Sequence, residues 1–166
     1  EGAGIVRAVG AGVSSVQAGD AVVIGFSSCG HCARCDQQLP SYCRDFVPLN
    51  YAGARGDGST ALSMNGAPVA SHFFGQSSFA SHAITLERNV VKVDAAGLEL
   101  AHLGPLACGL QTGAGSVMRS FDCRAGSTIA VFGGGPVGQA AVMAAAVRGC
   151  ARIILVEPIA ARRELG

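Results

Sequence analysis

Cys29, Cys32, Cys35 and Cys43 place four thiols within fifteen residues, separated by two, two and seven residues. Two residues between thiols let a tight turn present both sulfurs to one ion, and four thiolates in a tetrahedron satisfy Zn²⁺. A shell closed in this way leaves no position for a substrate. The quartet therefore predicts a structural metal, with the chemistry elsewhere. Disulfide pairing of the same thiols is the alternative, favoured in an oxidising compartment. His31 lies inside the same lobe, but four sulfurs already fill the shell.

A second pattern is Gly133-Gly134-Gly135-Pro136-Val137-Gly138, which matches G-x-G-x-x-G. With 24 glycines in the chain, the match gains weight only from its place between a predicted buried strand and a predicted helix. Gly133 would permit the tight turn, Gly135 the approach of a pyrophosphate, and Gly138 close packing of the helix on the strand. The free N–H groups of the helix start would face the phosphates. Glu157 follows Ile153-Ile154-Leu155-Val156, nineteen residues after Gly138, where an acid is expected to accept hydrogen bonds from ribose hydroxyls. Its charge would repel a 2′-phosphate and favours NAD over NADP. Arg162 and Arg163 pull the other way, since a guanidinium would receive that phosphate. The competing reading is a glycine-rich turn of a flavodoxin-like domain with a surface glutamate.

These residues need a scaffold. Strands are predicted over Gly4–Gly10, Ala21–Phe26, Phe79–Leu86 and Val90–Val93, with turns at Gly10-Ala11-Gly12 and Ala18-Gly19-Asp20. Residues 50–69, rich in Gly, Ser, Asp and Asn, read as loop. Short helices are expected over Leu98–Leu106 and Gly113–Ser120. Thr128–Phe132 and Arg152–Val156 are continuous apolar runs, the pattern of strands buried on both faces of a parallel sheet. With the Ala-rich helix Val137–Val147 between them they form a βαβ unit, and Ile159 begins another helix. The change of character places a domain boundary near residues 105 to 112, dividing 1–108 from 109–166.

Composition narrows the function classes. Charged residues make up 14% and the net charge is +1, so nothing favours nucleic acid or a charged membrane surface. Residues 127–147 carry no charge and are long enough to span a bilayer, but the glycines and Pro136 favour a short strand followed by a helix. Seven cysteines, an odd count, and no visible signal peptide point to a reduced, cytoplasmic setting. The chain opens at Glu1 without Met, which suggests a piece of a longer protein.

Cys108, in Gly104-Pro105-Leu106-Ala107-Cys108-Gly109-Leu110-Gln111-Thr112-Gly113, sits at the expected domain junction. Ligands favour such junctions, whereas a lone cysteine is more commonly an inert small hydrophobe. Phe26, Phe73 and Phe74 are open to two readings of equal weight, an aromatic pocket or ordinary core. Cys123 and Cys150 read as packing residues, and no histidine is given a catalytic role.

Taken in order, these motifs resemble the zinc-dependent medium-chain alcohol dehydrogenases, and more narrowly their aryl- or benzyl-alcohol branch. Glu1-Gly2-Ala3-Gly4 resembles the end of the family's G-H-E-x-x-G motif. Cys29, Cys32, Cys35 and Cys43 have the spacing of its structural-zinc lobe. Phe73-Phe74-Gly75-Gln76-Ser77-Ser78-Phe79 resembles its substrate-cleft segment, and Cys108-Gly109-x-x-Thr112-Gly113 the segment bearing its third catalytic-zinc ligand. Two positions depart from the pattern: Ala18 where Pro is common, and Glu157 in place of the commoner Asp.

The resemblance implies an α/β plus β architecture, a GroES-like β domain with the zinc lobe followed by an incomplete, parallel doubly wound Rossmann domain. It implies catalytic roles for Cys108 as a zinc ligand, Glu1 as a carboxylate beside that zinc, and Thr112, with Val137, on the nicotinamide side. Coenzyme would be held by Gly133, Gly135, Val137, Gly138, Glu157 and Arg162, and a hydrophobic alcohol by Phe26, Phe73 and Phe74. The implied cofactors are structural and catalytic zinc and NAD, and the full-length protein is expected to be a homo-oligomer acting on a small alcohol or aldehyde. The remaining zinc ligands and the proton relay are expected ahead of residue 1, the rest of the nucleotide domain after residue 166, and the isolated chain is expected to be inactive. The rivals are a zinc-stabilised binding module and a zinc-independent quinone or enoyl reductase of the same superfamily.

Overall fold

The structure, a computed structural model, describes residues 2–95 and 97–166, so the expectation for Glu1 lies outside the described residues. The chain divides into two compact units between Gly104 and Pro105. In chain order the first holds β1 (Gly2–Ile5), β2 (Ala21–Ile24), α1 (Ala33–Asp36), α2 (Phe46–Tyr51), β3 (Leu62–Met64), β4 (Ala67–Val69) and β5 (Val90–Lys92).

β2 is the centre of an antiparallel sheet ordered β1-β2-β5. Val23 pairs with Ala3 on one side and Val91 on the other, and Val22 and Val23 are both buried. Lys92 and Asp20 close the sheet's end at 2.7 Å. Glu87 then ties a distant loop to it, its Oε1 accepting the N–H groups of Ser14 and Ser15 at 2.8 and 2.7 Å. The Ser15 and then the Ser14 peptide N–H hold the Glu87 carboxyl down at about 2.

Three expectations are corrected here. The first strand ends at Ile5 rather than Gly10. No strand forms over residues 79–86; Phe79 and Ile84 are exposed, so the alternation there finds no sheet to join. Residues 50–69 are not all loop. α2 ends at Tyr51, and β3 and β4 make a hairpin in which Met64 pairs with Ala67. Its turn is Asn65-Gly66, with φ of 51° and 80°. Asn-Gly between strands is the preferred pair for a two-residue turn with both residues left-handed, and that signal was present in the sequence.

One short helix was expected over Leu98–Leu106; instead a helical turn over Leu100–His102 ends the first unit, and another over Gly104–Ala107 leads into the second unit. α3 (Gly109–Gly115) starts four residues before the expected helix and runs on into a wider turn over Ser116–Ser120. β6 (Thr128–Phe132), α4 (Pro136–Val147), β7 (Arg152–Val156) and α5 (Ala160–Arg163) follow. β6 and β7 pair in parallel from Thr128↔Arg152 to Phe132↔Val156.

The core of this unit is Val117, Ala141, Ala144 and Ala145, with Ile129, Val131 and Ile153 of the sheet packed against it. Small residues let the helices approach closely. A Cβ on Gly113 would lie 2.0 Å from the Val137 carbonyl oxygen and 2.9 Å from Ala140 Cβ. Within this chain one face of the β6–β7 sheet is covered. α4 packs on that face, with α3 against α4, and alternate residues such as Phe132 and Ile154 are exposed on the other. The uncharged stretch 127–147 is a strand, a turn and a twelve-residue helix. No helix among the described residues is long and apolar enough to cross a membrane.

Candidate metal centre and glycine turn

The metal lobe is built from short-range geometry. Cys29 and Cys32 flank the Gly30-His31 turn, Cys32 starts α1, Cys35 lies within α1, and Cys43 follows the Pro40–Tyr42 turn. The Sγ atoms of Cys29 and Cys35 are 3.9 Å apart, and those of Cys32 and Cys35 are 3.6 Å apart. All four ligand atoms lie within 4.8 Å of one another. Sulfurs held 2.3 Å from one tetrahedral ion are separated by roughly 3.8 Å, so these two spacings suit a four-thiolate metal and the whole quartet is close enough to share one ion. These separations are far too long for disulfides, and all seven cysteines are free.

The lobe is also electrostatically prepared. Peptide N–H groups of Arg44, Cys35 and Arg34 aim at the Cys32 sulfur and, against the cost of burial, lower its pKa to about 6. The His31 backbone acts in the same sense on Cys29, but burial and the neighbouring thiols Cys43 and Cys32 outweigh it and raise that thiol to about 12. Four clustered thiols cannot all lose protons unless a cation compensates them, which is what a divalent ion would do.

Arg88 reaches the lobe from the other end of the unit, donating to the carbonyls of Ser28, at 2.9 Å, and Cys29. Gly30, at φ +77°, leaves the space it fills; a Cβ there would lie 2.8 Å from Arg88 Nη1. His31 is exposed, and its Nδ1 lies 2.9 Å from the Cys29 carbonyl. The metal-capable groups among the described residues are the quartet and Cys29 with His31 and Asp45; Cys108 is in neither.

Phe26, Phe73 and Phe74 are joined by two rings that sequence reasoning passed over. Phe26 meets Phe46 at 5.4 Å, Phe46 meets Tyr51 at 6.1 Å, and Tyr51 meets Phe73 at 5.5 Å and Phe74 at 5.8 Å. The arrangement is pinned by Asn50, whose side chain accepts the Ser27 N–H and donates to the Ser27 and Phe46 carbonyls at 2.7–2.9 Å. Asn50 is fully buried. Nothing local in the sequence signals that role.

In the second unit Cys108 precedes α3, and its carbonyl accepts both the N–H of Thr112, at 2.9 Å, and the Thr112 hydroxyl, at 2.7 Å. Val137 is half exposed at the start of α4. The glycine turn has the expected mechanics at two points. Gly133 takes φ +98°, and a Cβ on Gly138 would stand 1.8 Å from the Gly133 carbonyl oxygen, so helix and strand meet only through glycine. Gly135 faces open space.

Glu157 is buried and closes this turn. Its Oε2 accepts the Gly134 N–H at 2.6 Å and its Oε1 the Ile159 N–H at 2.8 Å. Those two peptides, Ile159 first, hold its carboxyl below the usual range, with Arg162 and Arg163 adding to the effect. Gly134 is tied to this contact, since a Cβ on it would lie 3.0 Å from Glu157 Cγ. Arg163 donates to the carbonyls of Glu157 and Pro158 at 2.6 and 2.8 Å. The Arg162 carbonyl, by contrast, accepts from Gln139 at 2.7 Å. Cys123 and Cys150 pack against the helix core, and burial, then the neighbouring Cys123, raises the Cys150 thiol.

Comparison with known proteins agrees with this layout. Residues 1–95 match the alcohol dehydrogenase GroES-like domain. A probable alcohol dehydrogenase of a Pseudomonas species is 56% identical over 99% of this chain and 52% of its own length. The geraniol dehydrogenase of Castellaniella defragrans is 50% identical over 99% of this chain and 44% of its own. The crystal structure of benzyl alcohol dehydrogenase from Acinetobacter calcoaceticus superposes with a TM-score of 0.88 at 39% identity, covering 99% of this chain and 45% of that one. The chain thus spans about half the length of the curated relatives it matches. A cysteine quartet shaped for one ion, set in a unit that matches the GroES-like domain, places the chain in the alcohol dehydrogenase family.

Proposed function

We propose that the chain is the central part of a zinc-dependent dehydrogenase that oxidises a primary alcohol to its aldehyde with NAD. The cysteine quartet carries this reading, because the zinc-independent reductases of the superfamily usually lack it. Cys29, Cys32, Cys35 and Cys43 hold the structural zinc, and Cys108 is one ligand of a second, catalytic zinc. That zinc, when bound, supplies Lewis acidity that eases loss of the alcohol proton. Relatives that act on geraniol and on benzyl alcohol, together with the aromatic side chains Phe26, Phe73 and Phe74, support an aryl or bulky hydrophobic substrate. The full-length protein is proposed to be a homo-oligomer.

Residues 109–166 are proposed as the first part of a Rossmann domain, following a catalytic domain over 1–108. Gly133, Gly135 and Gly138 keep the turn clear for a pyrophosphate, and Val137 and Thr112 border the nicotinamide. Glu157 spends one lone pair of each oxygen on the turn; a carboxylate has about four acceptor positions, and the remainder receive the ribose hydroxyls. Its charge disfavours a 2′-phosphate, and the commitment of the Arg163 guanidinium to two carbonyls leaves Arg162 the lesser counterweight. The test is turnover of benzyl alcohol by the full-length protein with NAD and NADP. Preference for NAD is expected, and a clear preference for NADP would overturn the role given to Glu157. A zinc content unchanged by Cys108→Ala would overturn the catalytic-zinc assignment.

A further inference from the structure

We propose that Tyr51 is a specificity-determining residue, the ring that turns Phe46, Phe73 and Phe74 into one continuous wall for a flat or unsaturated substituent on the alcohol. This rests on the dehydrogenase reading above and goes beyond it in naming the residue that does the selecting.

Tyr51 is the hub of the ring contacts. It meets Phe46, Phe73 and Phe74 at 61–66° between ring planes, edge towards face, the arrangement in which aromatic quadrupoles attract. Phe73 and Phe74 lie 4.4 Å apart at 30°. The wall is not a closed core: Tyr51 and Phe73 remain 52% and 57% exposed, so each keeps surface for a further ring or double bond.

The wall is held more firmly than exposed side chains usually are. Asn50, next to Tyr51 in α2, fixes that helix to Ser27 and so to Phe26. On the other side His72 and Phe74 take left-handed φ of 67° and 54°. Gly75 follows at φ +73°, where a Cβ would lie 2.7 Å from Ser27 Cβ. Bulky residues keep such backbone only where their surroundings over-determine it, and strain of this kind concentrates at functional sites. Three segments distant in sequence thus converge on Ser27 and present one aromatic surface. Its chemistry favours π systems such as aryl and allylic groups, and gives a short saturated alcohol little to contact.

The test compares benzyl alcohol with 1-propanol in the full-length enzyme. Tyr51→Ala should raise KM for benzyl alcohol about tenfold, with kcat for it and KM for propanol within about twofold. Tyr51→Phe should behave as the parent, since the ring and not the hydroxyl acts. Should the alanine variant not fold, Tyr51→Leu keeps the bulk without the π face and should show the same loss for benzyl alcohol alone. Equal changes for both alcohols, or lost zinc with lost activity on both, would assign Tyr51 to lobe packing and overturn the proposal. A parent enzyme that oxidises both but does not prefer benzyl alcohol would overturn the selecting role alone. A parent that oxidises neither would overturn the dehydrogenase reading and this proposal together.

Discussion

The two units solve the same problem by different means. The second is held by repetition: parallel strands, a twelve-residue helix and a core of Val117 and alanines that lets backbones touch. The first has short strands and, among the described residues, few buried apolar side chains: Val22, Val23, Cys32, Cys43 and Leu103. It relies on single polar anchors between distant segments, namely Asn50 on Ser27, Glu87 on Ser14 and Ser15, and Arg88 on Ser28 and Cys29. On the function proposed above, a metal held by the cysteine quartet would do in the first unit the work that packing does in the second.

Metal removal should break this comparison most sharply. Structural zinc contributes on the order of 10 kcal/mol in small zinc domains. Chelation should therefore melt the lobe of the first unit while the helical signal of the second persists, a contrast read by hydrogen exchange. Uniform loss of protection in both units would count against their independence.

Single substitutions come next. Asn50→Ala leaves the Ser27 N–H and two carbonyls without partners in a buried place and should cost about 3 kcal/mol. Gly138→Ala forces a Cβ onto the Gly133 carbonyl and should cost about as much through overpacking. Urea unfolding would check both. The first variant should expose residues 26–51 to proteolysis, the second residues 128–147.

The smallest effect is the pH response of Glu87. Its folded pKa is near 2 against an ordinary value of 4.5, so its stabilising bonds are fully present above pH 4.5. They are lost as pH falls from 4.5 towards 2. Glu87→Gln should lower Tm at neutral pH, with the gap to the parent closing across that window. A gap independent of pH would show that the two bonds do not depend on the charge.

Legibility followed the same division. Thr128–Phe132 and Arg152–Val156 were recognisable from their apolar runs and the helix between them from its composition, because periodic segments declare themselves locally. In the first unit the cysteine spacing was enough to foresee the ligand cluster, as sulfurs two residues apart are brought together by one turn. Asn50, Tyr51 and Arg88 were invisible because their roles depend on contacts across 22 to 60 residues. Asn65-Gly66 was a legible hairpin signal hidden within a stretch that looked like loop.

On the function proposed above, the quartet holds a structural metal and the reaction belongs elsewhere, at Cys108. Zinc per chain, measured on the full-length protein and on Cys43→Ser and Cys108→Ser, tests it most directly. We predict two zincs in the parent and one in each variant, with the lobe destabilised only by Cys43→Ser. Unchanged zinc in Cys43→Ser, or a lobe that melts equally in Cys108→Ser, would contradict it.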